Sequence, residues 1–310
     1  MSRSGVMKTI IAVIACLWPG VLGSKPLLLE EDCGTEIRMA DRIMNGQAAK
    51  LGENPWMAYL TTPSGPNCSG TLINHWFVLT AAQCIPDDLE ITVHLGEYNL
   101  DTKVDCEKHR CQKAVQEYAV DMAFKHAFYE PETHDNDIGM LRLDKRVTYL
   151  VHIKPICIFV DERMREQVDQ LNTFTTTGWG ETGEKKRSSV LQKMDISRQP
   201  KELCSEIFGK PLSSDQICGG NGNSTLCTGD IGSPQIREMR HKNHYRYVQV
   251  GLASWVSNQC LNASVLTDVL GHGHWIERVV RQFGPAQDMQ RPSPFRPNDE
   301  VPEFYPVKNF

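Results

Sequence analysis

Cysteine is the residue type that most constrains the fold of this chain, because eleven of its 310 residues are cysteines. One of them, Cys16, lies in an N-terminal stretch in which Arg3 and Lys8 precede a short apolar run ending at Trp18. A charged start, a short apolar stretch and a small-residue exit predict a secretory signal peptide over residues 1–23. Its removal leaves ten cysteines, an even number that indicates a disulfide framework in a secreted, extracellular protein.

Composition and charge limit the kinds of molecule that this chain is expected to bind. Hydrophobic residues make up 40% of the chain and charged residues 23%, which is enough apolar material for a buried core. The net charge of −5 provides no positive field, so we expect no nucleic-acid partner. The N-terminal apolar run is too short for a bilayer and no later stretch approaches about 18 apolar residues, so we expect no membrane span. A signal anchor is the alternative interpretation of residues 1–23.

Short runs rich in β-branched and aromatic residues recur along the chain, for example at 56–62, 91–95 and 247–253. Turn-forming clusters of Gly, Pro, Asn and Ser separate these runs, a spacing typical of β-sandwiches and barrels. One helix is predicted from Gly273 to Phe283, where apolar residues recur at helical spacing. The last 26 residues, 285–310, contain six prolines, which predicts a loosely ordered tail.

Nine short motifs follow one another in a fixed order: Arg42-Ile-Met-Asn-Gly46, Pro55-Trp56, Cys68-Ser-Gly-Thr-Leu72, Val78-Leu-Thr-Ala-Ala-Gln-Cys84, Asn136-Asp-Ile-Gly-Met-Leu141, Gly178-Trp-Gly180, Gly229-Asp-Ile-Gly-Ser-Pro234, Gly251-Leu-Ala-Ser-Trp255 and Trp275-Ile276. In this order and spacing they resemble the chymotrypsin-like (S1 family) serine proteases, over residues 43–284. The resemblance implies an all-β fold of two six-stranded antiparallel barrels, a C-terminal helix and an active site between the barrels. It is nearest in kind to the arthropod non-catalytic serine protease homologues that lack a clip domain.

The catalytic triad of that family is degenerate in this sequence. The family uses a serine nucleophile, a histidine base and an aspartate that orients the histidine. The matching positions here carry Ile231, Gln83 and Asp137, respectively. An amide is no base near neutral pH and isoleucine has no heteroatom, so the resemblance predicts a chain without the proton-transfer step. The backbone N–H groups of Gly229 and Ile231 match the oxyanion hole, and we expect no metal and no cofactor.

Three neighbouring side chains carry groups that can in principle replace the lost ones: Ser233, His75 and His94. We expect none of them to restore catalysis, because the serine follows a tight turn and both histidines lie in strand-like runs. Instead, we expect a structural group in which the Gln83 amide donates where the imidazole did. In that group, Ser254 and Gln83 satisfy the buried carboxylate of Asp137.

The specificity pocket that the resemblance implies has changed as well. Its base is Thr225, which is uncharged and offers no salt bridge to a basic substrate side chain. Its walls match Val256 and Ser264, where active relatives commonly carry glycine. The sequence therefore predicts a pocket that has lost its substrate.

The bond between Arg42 and Ile43 resembles the family's activation bond. Cleavage there frees an ammonium group on Ile43 that can pair with Asp230, which is retained. We interpret this as a usable conformational switch, and the alternative is a site that is kept without use. Residues 24–42 form a short pro-segment, which a Cys33–Cys157 bridge keeps attached to the protease-like domain, residues 43–284.

The resemblance pairs the other cysteines too, as Cys68–Cys84, Cys204–Cys218 and Cys227–Cys260, which leaves Cys106–Cys111 as a small bridge in a surface loop. A zinc site at His109, between the last two, is the minor alternative. Three sequons predict glycosylation, at Asn67, Asn223 and Asn262.

These features lead to three hypotheses for function. The first is a secreted, non-proteolytic homologue that acts as a binding cofactor, decoy or regulator in an extracellular protease cascade. Its partners would be an active serine protease, the zymogen of one, or an inhibitor. The second is a serine endopeptidase with a non-standard mechanism, and the third is a stored or structural secreted protein.

Overall fold

The computed structural model describes residues 28–35, 47–63, 67–181, 187–222, 226–257 and 262–285, together with the backbone of 304–308. Several predicted features lie outside these residues: the signal peptide, the Arg42–Ile43 bond, Thr225, Asn223 and Cys260.

The described strands in chain order are β1 (Gln47–Ala48), β2 (Met57–Thr61), β3 (Cys68–Leu72), β4 (Phe77–Thr80), β5 (Thr92–Leu95), β6 (Cys106–Glu107), β7 (Arg110–Cys111), β8 (Gln116–His126), β9 (Gly139–Leu143), β10 (Thr173–Gly178), β11 (Gln192–Gln199), β12 (Gln216–Gly222), β13 (Pro234–His241), β14 (His244–Trp255), β15 (Asn262–Asp268) and β16 (Phe304–Lys308). The described α-helices are α1 (Arg165–Asp169), α2 (Lys201–Phe208) and α3 (Gly273–Phe283).

Two closed barrels dominate the architecture. The N-terminal barrel has the strand order β8-β5-β2-β3-β4-β9 and closes through pairing of β8 with β9. The C-terminal barrel has the order β11-β10-β13-β14-β15-β12 and closes through β11 and β12. All of these pairings are antiparallel, and pairing of the first strand with the last closes each ring. The predicted fold of two six-stranded antiparallel barrels is confirmed.

Each barrel is filled by its own apolar core. Trp56, Phe77 and Phe124 are fully buried in the N-terminal core, and Phe174 and Leu266 are fully buried in the C-terminal core. Burying a side chain of this size contributes about 1.5–3 kcal/mol relative to leaving it exposed. The two cores therefore hold the barrels rigidly enough to position the loops between them.

Helix α3 follows the C-terminal barrel but packs on the N-terminal one. Trp275 and Ile276 are buried in the N-terminal core. At the helix end, Arg142 Nη1 of β9 donates to the carbonyl oxygen of Phe283 at 3.0 Å. The predicted helix is confirmed with its bounds at Gly273 and Phe283. Among the described helices, none has the length and apolar character needed to cross a membrane.

The C-terminal tail departs from the sequence prediction of loose order. Residues 304–308 form β16, which pairs antiparallel with residues 122–126 of β8. Proline content describes the average preference of a segment and does not report a strand partner distant in sequence, so composition could not predict this pairing. The tail prediction is wrong for these five residues.

Four disulfides join described cysteines, each between residues that the sequence analysis pairs: Cys33–Cys157, Cys68–Cys84, Cys106–Cys111 and Cys204–Cys218. The first spans 124 residues and ties the N-terminal segment, residues 28–35, to the body of the protein. The Cys106–Cys111 disulfide joins the two strands of the β6–β7 hairpin. Cys227 is disulfide-bonded too.

Candidate functional site

The degenerate triad positions converge where the two barrels meet. Gln83 lies in a single 3₁₀ turn, Ala82–Cys84, directly after β4. The bridge from Cys84 to Cys68 of β3 anchors this turn. Asp137 lies just before β9, and Ser254 comes from β14 of the other barrel. The site therefore depends on the docking of both barrels.

Asp137 is fully buried and its carboxylate is satisfied by three donors. Ser254 Oγ donates to Oδ2 at 2.6 Å. The backbone N–H of Gln83 donates to Oδ1 at 3.1 Å, and its side-chain Nε2 donates to Oδ2 at 2.5 Å. A buried carboxylate without such donors is strongly destabilising, so this arrangement accounts for an aspartate retained where the matching histidine position is Gln83. The structure brings together the three residues of the predicted structural group.

The Gln83 amide makes further contacts that sequence reasoning did not foresee. Its Nε2 also lies 2.9 Å from the Ser254 carbonyl oxygen and 3.3 Å from His134 Nδ1. Because the amide nitrogen is a donor only, it cannot take a proton from a nucleophile. His134 Nδ1 is 3.8 Å from Asp137 Oδ2, and its ring packs on Trp255 with centroids 4.7 Å apart. The only sequence signal for His134 was its position three residues before Asp137.

The nucleophile position offers no hydroxyl. Ile231 is half-buried and packs against the N-terminal core, and its carbonyl oxygen accepts from the Ser69 N–H at 2.8 Å. Ser233, the nearest hydroxyl in sequence, is fully buried. The turn that buries it contains Gly232 at φ +82°, where a Cβ would lie 2.1 Å from the Ser69 carbonyl oxygen. Ser233 is therefore closed to a substrate by the same tight turn that the sequence indicated.

The resemblance assigned the Gly229 and Ile231 N–H groups to an oxyanion hole. Gly229 has φ +95°, in the left-handed region that favours glycine. Within the part of the chain that the structure describes, neither the Gly229 N–H nor the Ile231 N–H donates a hydrogen bond. Two donors are thus available without a nucleophile beside them.

Asp230 lies under the same turn, enclosed by backbone. Its carboxylate accepts from the N–H groups of Gly180 at 2.9 Å and Cys227 at 3.0 Å. Burial raises the pKa of Asp230 to about 6, while these two hydrogen bonds and the charge of Arg187 act in the opposite direction. Among the described residues, no cationic side chain forms an ion pair with it, and Arg187 instead donates to the Asn67 carbonyl oxygen at 3.4 Å. This buried acid suits an incoming ammonium group.

The two described residues of the predicted pocket are both at least partly buried. Val256 is half-buried and packs against the C-terminal core. Ser264 is fully buried in β15, opposite Gly219 of β12. Beside them, the Trp255 ring also packs on Phe208, with centroids 4.6 Å apart. Both predicted pocket residues therefore belong to the packed C-terminal barrel.

The remaining sequence candidates lie elsewhere. His75 Nδ1 contacts the Val147 carbonyl oxygen at 2.8 Å, and His94 Nε2 contacts Thr61 Oγ1 at 3.0 Å. Of the two described sequons, Asn262 is exposed, whereas Asn67 Nδ2 donates to the Tyr59 hydroxyl at 2.5 Å. No group of three or more His, Cys, Asp or Glu side chains within the described ranges is arranged to hold a metal.

Comparison with known proteins identifies the class. The family model described as Trypsin matches residues 43–276. The chain belongs to the trypsin family of serine proteases.

Its relatives include insect proteases. It is 30% identical over 270 residues to serine protease grass of Drosophila melanogaster, covering 82% of this chain and 71% of the relative. It is 36% identical over 221 residues to phenoloxidase-activating enzyme 1 of Spodoptera litura, covering 66% and 58%. The crystal structure of the Drosophila Grass clip serine protease of the Toll pathway superimposes with a TM-score of 0.74 at 28% identity, covering 83% of this chain and 77% of that one.

Proposed function

We propose that this chain is a secreted, non-proteolytic serine protease homologue that acts by binding in an extracellular protease cascade, as a cofactor, decoy or regulator. The observation that carries the proposal is the pairing of the Gln83 amide with Asp137, 2.5 Å apart, in a site whose nucleophile position is Ile231. Peptide hydrolysis by this family needs a hydroxyl and a base in hydrogen-bond reach of each other. At the two matching positions, Gln83 supplies no base and Ile231 supplies no hydroxyl.

The cascade setting is supported by the relatives. Their names refer to phenoloxidase activation and to the Toll pathway. Five disulfide-bonded pairs are implied by the ten cysteines, and this cysteine use supports an extracellular location. We therefore place its partners among secreted serine proteases, their zymogens and their inhibitors.

The Arg42–Ile43 bond supplies the regulatory step of this proposal. A cut there would bring the Ile43 ammonium to the Asp230 carboxylate, which now has two backbone donors and no ion pair among the described side chains. Burial of an unpaired carboxylate is unfavourable, so an ammonium partner would stabilise the surrounding turn. The effect of the cut would then be conformational.

The competing hypothesis is a serine endopeptidase with a non-standard mechanism. The features that favour it are the two available N–H groups at Gly229 and Ile231 and the histidine at 134. The burial of Ser233 argues against it, because this hydroxyl is closed to substrate.

A direct experiment separates the two hypotheses. Protein cut after Arg42 is incubated with a serine-directed fluorophosphonate and with a library of peptide substrates, with trypsin as the positive control. We expect no labelling and no cleavage above that of an Asp137→Asn variant. Covalent labelling of a hydroxyl in the cleft would overturn the non-proteolytic assignment.

The binding role has its own test. Purified cut protein, uncut protein and an Arg42→Gln variant are added to the secreted fluid of the source animal, and trypsin-like amidase activity is followed. We expect the cut form to change the rate at which that activity develops, and the Arg42→Gln variant to have no effect. Equal rates with all three proteins would contradict a regulatory role that depends on the cut.

A further inference from the structure

We propose that the outer edge of β8 from Met122 to His126 is a strand-binding site, which the chain's own C-terminal segment, residues 304–308, occupies and keeps closed to other extended chains. The pairing of β16 with this edge is antiparallel over five residues. This edge belongs to the N-terminal barrel, and its occupation does not depend on whether the site around Gln83 and Asp137 is catalytic.

The edge exists because β8 is longer than its barrel neighbour. β8 has eleven residues, and its first part, 116–119, pairs with β5. Its second part, 120–125, pairs with β9 on the opposite side. Beyond the end of β5, one edge of β8 therefore has no partner within the closed ring, and β16 lies along that edge. Unpaired strand edges are ready templates for other chains.

The hydrogen-bond directions agree with the position of the proline in β16. The His126 N–H donates to the Ile138 carbonyl oxygen at 3.2 Å, so it faces the β9 side. Backbone groups alternate in direction along a strand, which places the N–H groups of Lys125 and Ala123 on the β16 side. Their partners in register are Tyr305 and Val307, whereas Pro306 is opposite Phe124. The backbone nitrogen of Pro306 therefore faces away from β8, and its lack of an N–H removes no hydrogen bond to β8.

Pro306 also hinders the pairing of a further strand with the outer edge of β16. Because the backbone of Pro306 faces outward and lacks an N–H, a further strand laid against β16 would find one donor missing at its centre. Proline on an edge strand is a known device against strand addition. β16 thus closes the β8 edge without offering an equivalent edge of its own.

The sequence of the connection also protects it from trypsin-like cleavage. Between α3 and β16 the only basic residues are Arg291 and Arg296, and each is followed by proline. A proline after the scissile bond supplies no N–H and restrains the chain, which makes such bonds poor substrates. Intact mass after limited trypsin digestion should therefore show the tail still attached. Loss of residues 292–310 or 297–310 at the rate of the Arg42 cut would contradict this step.

The central test compares two prolines in the full-length chain. Val307→Pro removes a donor that faces β8, whereas Lys308→Pro changes a residue whose N–H faces outward. We expect amide hydrogen exchange at Ala123 and Lys125 to accelerate about tenfold or more in Val307→Pro and to stay unchanged in Lys308→Pro. The His126 amide, which faces β9, should stay protected in both. Tyr305→Pro provides a second donor-removing variant in case Val307→Pro does not fold.

Peptide binding completes the test. A synthetic peptide of residues 301–310 should bind the Val307→Pro protein and restore protection at Ala123 and Lys125, and it should leave the wild-type protein unaffected. Unchanged exchange at both amides in both donor-removing variants would overturn the proposal. Equal binding of the peptide to wild-type and Val307→Pro protein would overturn it too, because the edge would then not be occupied by the chain itself.

Discussion

Gln83 Nε2 lies 2.5 Å from Asp137 Oδ2, so an amide donates to the carboxylate that a catalytic imidazole would otherwise contact. The contact satisfies the carboxylate of a fully buried aspartate with a group that is not a base. On the proposed function, this contact keeps the centre of the protein paired while the proton-transfer step is absent.

Restoring the nucleophile alone should give no activity. In Ile231→Ser, the new hydroxyl faces an amide that cannot accept its proton, so we expect no peptidase above background. The double variant Gln83→His with Ile231→Ser should regain at most a trace, because the altered pocket predicted around Val256 and Ser264 is unchanged in it. Peptide turnover and fluorophosphonate labelling measure both. Brisk cleavage by the single variant would show that another base, such as His134, serves the site.

The hydrogen-bonded group of Asp137, Ser254 and Gln83 should contribute to the stability of the fold. Ser254→Ala removes a donor at 2.6 Å from a fully buried carboxylate and should cost about 1–3 kcal/mol of unfolding free energy. Ser188→Ala is the control: it loses the bond from Ser188 Oγ to the Val190 carbonyl oxygen and the bond accepted from Gln192 Nε2, both between neutral, partly buried groups, and it should cost less. Urea unfolding measures both. In Asp137→Asn protein, the further loss from Ser254→Ala should shrink, and an unchanged loss would mean that the two side chains are not coupled.

Asp230 should make the uncut protein less stable as the pH rises. Its folded pKa is raised to about 6, so between its ordinary value of about 4 and 6 the folded state binds more protons than the unfolded state. The free energy of unfolding should therefore fall with rising pH across this window, by about 2–3 kcal/mol, and level off above it. Asp230→Asn should remove this fall. Chemical denaturation of both proteins from pH 3.5 to 7.5 measures the difference, and identical profiles would contradict it.

Cleavage after Arg42 should order the turn around Asp230. The Ile43 ammonium would supply the missing cation, so the melting temperature should rise and hydrogen exchange should slow in the segments 219–224 and 254–260. Asp230→Asn should cut equally well and show neither change. If cut and uncut proteins melt and exchange alike, the activation bond has no conformational effect. Partner binding would then depend on a surface already present in the uncut chain.

The family and the two-barrel fold were accessible from the sequence alone, and so was the prediction that the triad chemistry is lost. They depend on residue identity at matched positions: Gln83 is no base and Ile231 has no hydroxyl, whatever surrounds them. The C-terminal helix was equally accessible, because its apolar periodicity is local. These properties need no knowledge of which distant segments meet.

Tertiary structure decided the features that arise from contacts between distant segments. His134 reaches Gln83 because the loop before β9 folds over the 3₁₀ turn, and Ser233 is buried because the turn at Gly232 directs it inward. The clearest case is β16, where a proline-rich composition predicts loose order and the edge of β8 provides a partner about 180 residues away in sequence. Strand pairing depends on which backbone donors and acceptors remain open after the barrel closes, and local sequence does not carry that information.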